Sequence, residues 1–138
     1  MKRLFALIVV ALVCVGFTTG REKPYLIAFD LTSRDSLDQK AVMRWVKEVT
    51  TASPDAKIEV VMYGKGFELV LPERSTVSAE VQEAIRNPNV SFRVCAVALR
   101  NNKVDKAQLF PGVETVPDGL RELVTKQQEG WGYIKVGH

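Results

Sequence analysis

YLIAFDL, residues 25–31, decides the fold, because this stretch is apolar on both faces of an extended chain except at Asp30. A strand with this pattern is typical of a parallel sheet that is covered by helices on both faces. The chain on the carboxyl side alternates between helical and extended patterns. The sequence therefore predicts an α/β fold with a mostly parallel sheet.

The elements after this first strand follow from apolar periodicity and from Pro, Gly and Asn punctuation. Four further strands are predicted at 58–63, 90–95, 113–116 and 131–136. Helices are predicted from Ser36, where Ser36 and Gln39 match a capping box, and then at 77–85, at 96–101 and from 117–118 onward. Residues 67–71 are apolar but ambiguous, since Pro72 interrupts a strand there. One domain is expected over residues 21–138.

The amino-terminal residues have the layout of a secretory signal peptide. Met1-Lys2-Arg3 is basic, residues 4–17 are almost wholly apolar, and Thr18-Thr19-Gly20 offers small residues to a peptidase. The apolar run is shorter than the roughly 18 to 20 residues that span a bilayer, so a retained anchor is the weaker interpretation. The sequence predicts a signal peptide over residues 1–20 and a periplasmic or secreted mature domain.

The charge of the mature domain argues against nucleic acid as a partner. The chain has 19 basic and 16 acidic side chains, and the leader holds two of the basic ones, Lys2 and Arg3. The remainder is nearly neutral and shows no basic face. No later segment is long and apolar enough to cross a membrane, and one histidine is too few for a soft-metal site. We expect no cofactor, no nucleic acid and no membrane attachment after leader removal.

Cysteine usage points to one residue. Cys14 lies in the leader, so Cys95 is the single thiol of the mature domain and cannot form an intramolecular disulfide. It is predicted at the carboxyl end of a strand, where ligands collect in open α/β sheets. If Ala96 opens a helix, nearby backbone N–H groups would favour a nucleophilic thiolate. The alternative is that Cys95 fills the core as a small, inert side chain.

Other polar positions at predicted strand ends are weaker candidates. Gly64-Lys65-Gly66 follows the second strand and could let a backbone approach a ligand, with Lys65 available to an anion. A plain turn is the commoner meaning of such glycines, and the motif is neither a dinucleotide fingerprint nor a P-loop. Asp30 ends the first strand, where a turn or cap role is favoured. His138, the only histidine, would have to fold back to reach the thiol.

Several short motifs resemble the DsrE/DsrF-like proteins associated with sulfur transfer. They are Val90-Ser-Phe-Arg-Val-Cys95, Val116-Pro-Asp-Gly119, Gln128-Glu-Gly130 and Tyr133-Ile134, in a likeness that spans residues 25–135. The resemblance implies a three-layer α/β/α sandwich on a five-stranded, mainly parallel sheet, assembled as a homo-oligomer. Members with a thiol after the third strand are regarded as persulfide carriers, and Cys95 matches that position. Gly64 and Gly66 match a glycine-bearing turn near that thiol.

These observations predict an exported DsrE-like persulfide carrier or sulfur-transfer accessory, at most a sulfurtransferase-like enzyme, with Cys95 as its catalytic residue. A sulfur donor or acceptor protein is the expected partner. The export signal departs from relay members, which generally work in the cytoplasm. The alternative is a non-catalytic oligomeric module that binds a small molecule or a protein near Gly64 and Cys95, with an inert thiol. A thiol–disulfide oxidoreductase is disfavoured, since the chain has no Cys-x-x-Cys pair.

Overall fold

The computed structural model describes residues 22–137. Its strands are β1 (Leu26–Leu31), β2 (Lys57–Met62), β3 (Val90–Cys95), β4 (Glu114–Val116) and β5 (Gly132–Val136). Its α-helices are α1 (Ser36–Ala52), α2 (Ser78–Ile85), α3 (Ala96–Asn101) and α4 (Gly119–Gln128), and two 3-10 helices span Gly66–Val70 and Lys106–Gln108. The predicted signal peptide over residues 1–20, Cys14 and His138 lie outside the described residues.

The five strands form one sheet in the order β4-β3-β2-β1-β5, and every neighbouring pair is parallel. The predicted α/β class is confirmed, and the sheet is wholly rather than mainly parallel. Helices α1 and α2 cover the face that carries Phe29 and Val60, while α4 covers the face that carries Ala28 and Val61. The carboxyl ends of all five strands therefore meet at one edge of a three-layer α/β/α fold.

The start of α1 differs from the predicted capping box. Asp35 is the N-cap, and its Oδ1 accepts a hydrogen bond from the Leu37 N–H at 2.7 Å. Gln39 is buried instead, and its side-chain oxygen accepts from both the N–H and the hydroxyl of Thr76 at 2.9 Å. The predicted capping box of Ser36 and Gln39 is therefore wrong, because Asp35 caps the helix and the side-chain oxygen of Gln39 is bound by Thr76.

The ambiguous apolar run after Gly64 is not a strand. It forms the 3-10 helix Gly66–Val70, whose apolar side chains are buried in the main core. Gly66 starts this helix directly against β1, since an ideal Cβ on it would lie 2.0 Å from the carbonyl oxygen of Leu31. Only glycine fits that close approach. The turn after β2 is thereby fixed next to the carboxyl end of β1.

Candidate functional site

Cys95 is the last residue of β3 and lies at the carboxyl edge of the sheet. The next residue, Ala96, opens α3, so Cys95 occupies the N-cap position, although its side chain makes no capping hydrogen bond. The thiol forms no disulfide among the described residues, and the residue is 5% exposed. The structure thus places the predicted thiol at a strand end, at a helix start and almost out of solvent.

A cavity of about 240 Å³ opens onto this thiol. The lining residues lie at or after the carboxyl ends of β2, β3 and β4, in the turns and helices that follow these strands. They are Tyr63, Gly64, Cys95, Val97, Ala98, Asn101, Asn102, Asp118 and Leu120. Parallel topology brings these segments together from distant parts of the chain. The cavity is of a size for a small molecule or for a narrow, protruding group.

The start of α4 closes one side of the thiol site. An ideal Cβ on Gly119 would lie 3.2 Å from the Cβ of Cys95 and 3.2 Å from the Cβ of Tyr63. Asp118 caps the helix, because its Oδ1 accepts from the N–H groups of Leu120 at 2.8 Å and Arg121 at 3.4 Å. The first turn of α4 is therefore fixed against Cys95, and a larger residue at 119 would displace it.

The residues Gly64, Lys65 and Gly66 have three different surroundings. Gly64 lines the thiol cavity in a left-handed turn, with φ +58°. The Lys65 ammonium donates to the side-chain oxygen of Asn102, which also lines the cavity. Gly66 is buried against the backbone of β1. Gly64 therefore lies near the thiol, and Lys65 is connected to its cavity through Asn102. A ligand-binding role for Gly64, Lys65 or Gly66 stays a prediction.

Arg93, two residues before Cys95, faces carboxylates rather than the thiol. Its guanidinium pairs with Glu114 on β4, and its Nε lies 3.8 Å from the Glu59 carboxylate on β2. Lys126 of α4 approaches the same carboxylate at 3.4 Å and also lies near Glu122 and Glu129. The Lys126–Glu59 pair attaches α4 to the sheet, and the Arg93 pairs join β3 to its two neighbouring strands.

Glu59 is the buried centre of this charged cluster and is 2% exposed. Burial raises the pKa of its carboxyl to about 7, helped by a hydrogen bond with Glu122 and opposed by the positive charges of Lys126 and Arg93. Within residues 22–137 its Oε1 has no hydrogen-bond partner. A carboxyl that is costly to ionise therefore lies under the helix whose first turn touches Cys95.

A second polar cluster surrounds Asp30, which lies near the carboxyl end of β1. Its Oδ2 accepts from the Tyr133 hydroxyl at 2.5 Å, from the Tyr63 hydroxyl at 3.4 Å and from the Lys135 ammonium at 3.4 Å. The hydrogen bond to Asp30 raises the pKa of Tyr133 to about 12, and burial with the nearby Asp30 charge raises the pKa of Tyr63. Tyr63 also lines the thiol cavity, so it connects the two groups of residues.

Sequence reasoning missed Tyr63, Asp118 and Leu120 as neighbours of the thiol. Tyr63 ends the predicted strand 58–63, and Asp118 and Leu120 follow the predicted strand 113–116, which is the one feature that could have found them. The contact between α4 and Cys95 could not be predicted either. It depends on the order of the strands in the sheet, which periodicity does not give. A larger groove of about 410 Å³ lies between α1 and α2, away from Cys95.

Residues 22–137 contain neither a candidate metal site nor a membrane-spanning helix. No group of three or more His, Cys, Asp or Glu side chains is arranged to hold a metal ion in that range. Among the same residues, no helix is long and apolar enough to cross a membrane.

Comparison with known proteins gives one family and one fold. A model of the DsrE/DsrF-like family matches residues 27–136. Among solved structures, the protein of unknown function MTH1491 from Methanobacterium thermoautotrophicum is 29% identical, with a TM-score of 0.75, over 80% of this chain and 98% of its own. No curated protein matches the chain significantly.

Proposed function

The chain belongs to the DsrE/DsrF-like family, and from this premise we propose that it is a persulfide carrier or sulfur-transfer accessory that works through Cys95. One observation carries the proposal: the single thiol of residues 22–137 lines a cavity at the carboxyl edge of the sheet. Ligands of open α/β sheets bind at that edge.

The proposed reaction is an exchange of sulfur with no net change in oxidation state. The Cys95 thiolate attacks the outer sulfur of a sulfane donor, such as thiosulfate or a low-molecular-weight persulfide. The new bond joins Cys95 Sγ to that sulfur, the sulfur–sulfur bond of the donor breaks, and its electron pair leaves with sulfite or with the donor thiolate. A second thiolate then takes the outer sulfur and releases Cys95 as a thiolate.

The surroundings of the thiol support this chemistry in two ways. Cys95 is 5% exposed, so a small donor or acceptor would approach its sulfur through the cavity. The cavity is bordered by amide side chains at Asn101 and Asn102 and by the apolar Val97 and Leu120. Such a lining accommodates a small sulfur donor without a metal or an organic cofactor.

Export and assembly are further parts of the proposal. The basic, apolar and small-residue layout of residues 1–20 supports a cleaved signal peptide and a periplasmic or secreted protein. A sulfur donor or acceptor protein is the proposed partner, and the family resemblance supports a homo-oligomer. The proposed sulfur transfer at Cys95 requires neither export nor assembly.

A second candidate is a non-catalytic oligomeric binding module with an inert cysteine. Near Cys95, the same cavity would hold a small molecule or a segment of a protein without any transfer of sulfur. The packing of Cys95 favours this alternative, since the residue is 5% exposed and belongs to the main apolar core. The two candidates differ in whether Cys95 reacts.

Mass spectrometry of the mature protein after incubation with thiosulfate or a polysulfide separates them. We expect one added sulfur atom on the peptide that contains Cys95, removable by a reductant. The Cys95→Ser variant, checked for folding by circular dichroism, is the matched control and should gain none. An unmodified Cys95 peptide under every donor would exclude the carrier function and leave the binding module.

A further inference from the structure

The two outer strands of the sheet, β4 and β5, differ in how their free edges are protected. At one edge, β4 has three residues, contains Glu114 and is followed at once by Pro117. A short strand, a charge and a proline are the features by which proteins prevent edge strands from pairing with other chains. Glu114 is also engaged, because it pairs with Arg93. The β4 edge is therefore protected.

The β5 edge has less of this protection, since its one charged residue, Lys135, pairs with Asp30 on β1. Strand β5 has five residues, and β1 is its one neighbour within residues 22–137. Its register with β1 runs unbroken from Gly132 to Val136, so no bulge twists the strand away. The strand contains no proline, and its four residues before Val136 are exposed. The outer N–H and C=O groups of β5 are thus available to a further strand.

Apolar surface accompanies these backbone groups on both faces of β5. Tyr133 is 42% exposed and Ile134 is 39% exposed, and successive side chains of a strand point to opposite faces. A strand added at this edge would cover part of both side chains. An apolar helix packed on one face could cover only one of them, so the geometry favours a strand as the partner.

We infer that β5 pairs antiparallel with β5 of a second copy of this chain, about a two-fold axis at Ile134. When Gly132–Val136 of the two copies overlap fully, Tyr133 of each copy lies opposite Lys135 of the other, and the two Ile134 residues lie opposite each other. Aromatic rings and ammonium groups attract, and apolar pairs across strands stabilise a sheet. The sequence of β5 is thus complementary to itself, which is what a closed two-fold interface requires.

This pairing has a consequence for the thiols. In each copy β3 is three strand spacings from β5, and one further spacing joins the copies. Seven spacings separate the two Cys95 residues by about 34 Å, far beyond the reach of a disulfide. Both thiols stay free and both cavities stay open. The inference rests on the β5 edge alone, so it stands or fails separately from sulfur transfer.

Crosslinking at the axis tests the register directly. In a Cys95→Ser background, Ile134→Cys should form a disulfide-linked dimer on mild oxidation, because directly opposite Cβ atoms in an antiparallel pair are about 5 Å apart. Val124→Cys in the same background is the matched control, since Val124 is 53% exposed but lies on α4. A dimer from the 134 variant alone supports the pairing, and equal crosslinking of both or neither overturns it.

Sedimentation equilibrium across a wide range of protein concentrations tests the interface without crosslinks. We expect a monomer–dimer equilibrium that Ile134→Lys weakens about tenfold or more, because two ammonium groups would meet at the axis. Val124→Lys should leave the equilibrium unchanged. A wild-type monomer at all concentrations, or a dimer that Ile134→Lys does not weaken, contradicts the inference. Sulfur loading of Cys95 should be equal in both variants, which separates this test from the proposed function.

Discussion

The two faces of the sheet differ in what they bury. The face toward α1 and α2 is predominantly apolar, and its large side chains, such as Phe29, Ile58 and Phe92, are about 1% exposed. The face toward α4 has a small apolar core of Ala28, Val61 and Leu123, beside buried carboxylates. Buried charges stabilise a fold less than apolar packing does. Most of the stability therefore comes from the first face, while the second face holds the buried carboxylates, and the start of α4 contacts Cys95.

The largest expected effect belongs to the apolar face. Phe92→Ala should lower the free energy of unfolding by about 3–5 kcal/mol, because it removes a fully buried ring and leaves a cavity. Urea denaturation monitored by circular dichroism measures this loss. Val124→Ala, at an exposed position on α4, should change stability by less than about 0.5 kcal/mol. Similar losses in the two variants would remove the distinction between a core face and a surface.

The buried carboxyl of the other face should make stability depend on pH. Burial raises the pKa of Glu59 from 4.5 to about 7, so the folded state binds this proton more tightly than the unfolded state. The resulting stabilisation, on the order of 3 kcal/mol, is complete below about pH 4.5 and is lost as pH rises through 7. Glu59→Gln should remove this part of the pH dependence.

Urea unfolding of wild type and variants between these pH values gives the comparison. Glu83→Gln, which changes an exposed carboxyl of α2, should keep the wild-type pH profile. If Glu59→Gln and wild type lose stability in parallel as pH rises, the cluster under α4 does not titrate as described.

A smaller effect is expected where α4 meets the thiol. Gly119→Ala places a methyl group 3.2 Å from the Cβ atoms of Cys95 and Tyr63, neither of which can rotate away. The first turn of α4 should move outward, at a cost of about 1–3 kcal/mol, and alkylation of Cys95 should become severalfold faster. Gly132→Ala is the matched control, because its added Cβ would be 3.6 Å from the nearest atom, an ordinary contact. An unchanged alkylation rate in Gly119→Ala would show that α4 does not restrict access.

The smallest effect concerns the Asp30 cluster. Tyr133→Phe removes the shortest hydrogen bond to the buried carboxylate, 2.5 Å long, and should cost about 1 kcal/mol, since Tyr133 is partly exposed. Thermal unfolding is sensitive enough to detect it. Tyr25→Phe, at a position that is 62% exposed, should be close to neutral. Equal melting temperatures for the two variants would mean that this hydrogen bond contributes nothing to stability.

How far the sequence predicts this molecule depends on the range of the contacts. β3 (Val90–Cys95) and α3 (Ala96–Asn101) have the predicted bounds, because local periodicity and the Asn87-Pro88-Asn89 turn define them. The cap of α1 was predicted at the wrong residue, since Thr76 binds Gln39 across 37 positions of sequence. Local patterns cannot report such a contact.

The candidate site follows the same rule. The strand-end position of Cys95 could be predicted, because it needs only the bounds of β3. The contact with Gly119 could not, since it depends on strand order and on the path of α4. The partners of Arg93 were also unpredictable, because Glu59 and Glu114 lie on the two neighbouring strands and become adjacent only through the register.

Transfer of sulfur out of the loaded protein tests the central claim most directly. Wild-type protein is loaded from a donor that carries labelled sulfane sulfur, freed of the donor, and mixed with a low-molecular-weight thiol. The account predicts that the label is present on Cys95 in at most one equivalent and then appears on the acceptor as Cys95 returns to the free thiol. Label that never binds Cys95, or that stays there in the presence of the acceptor, would contradict a carrier function.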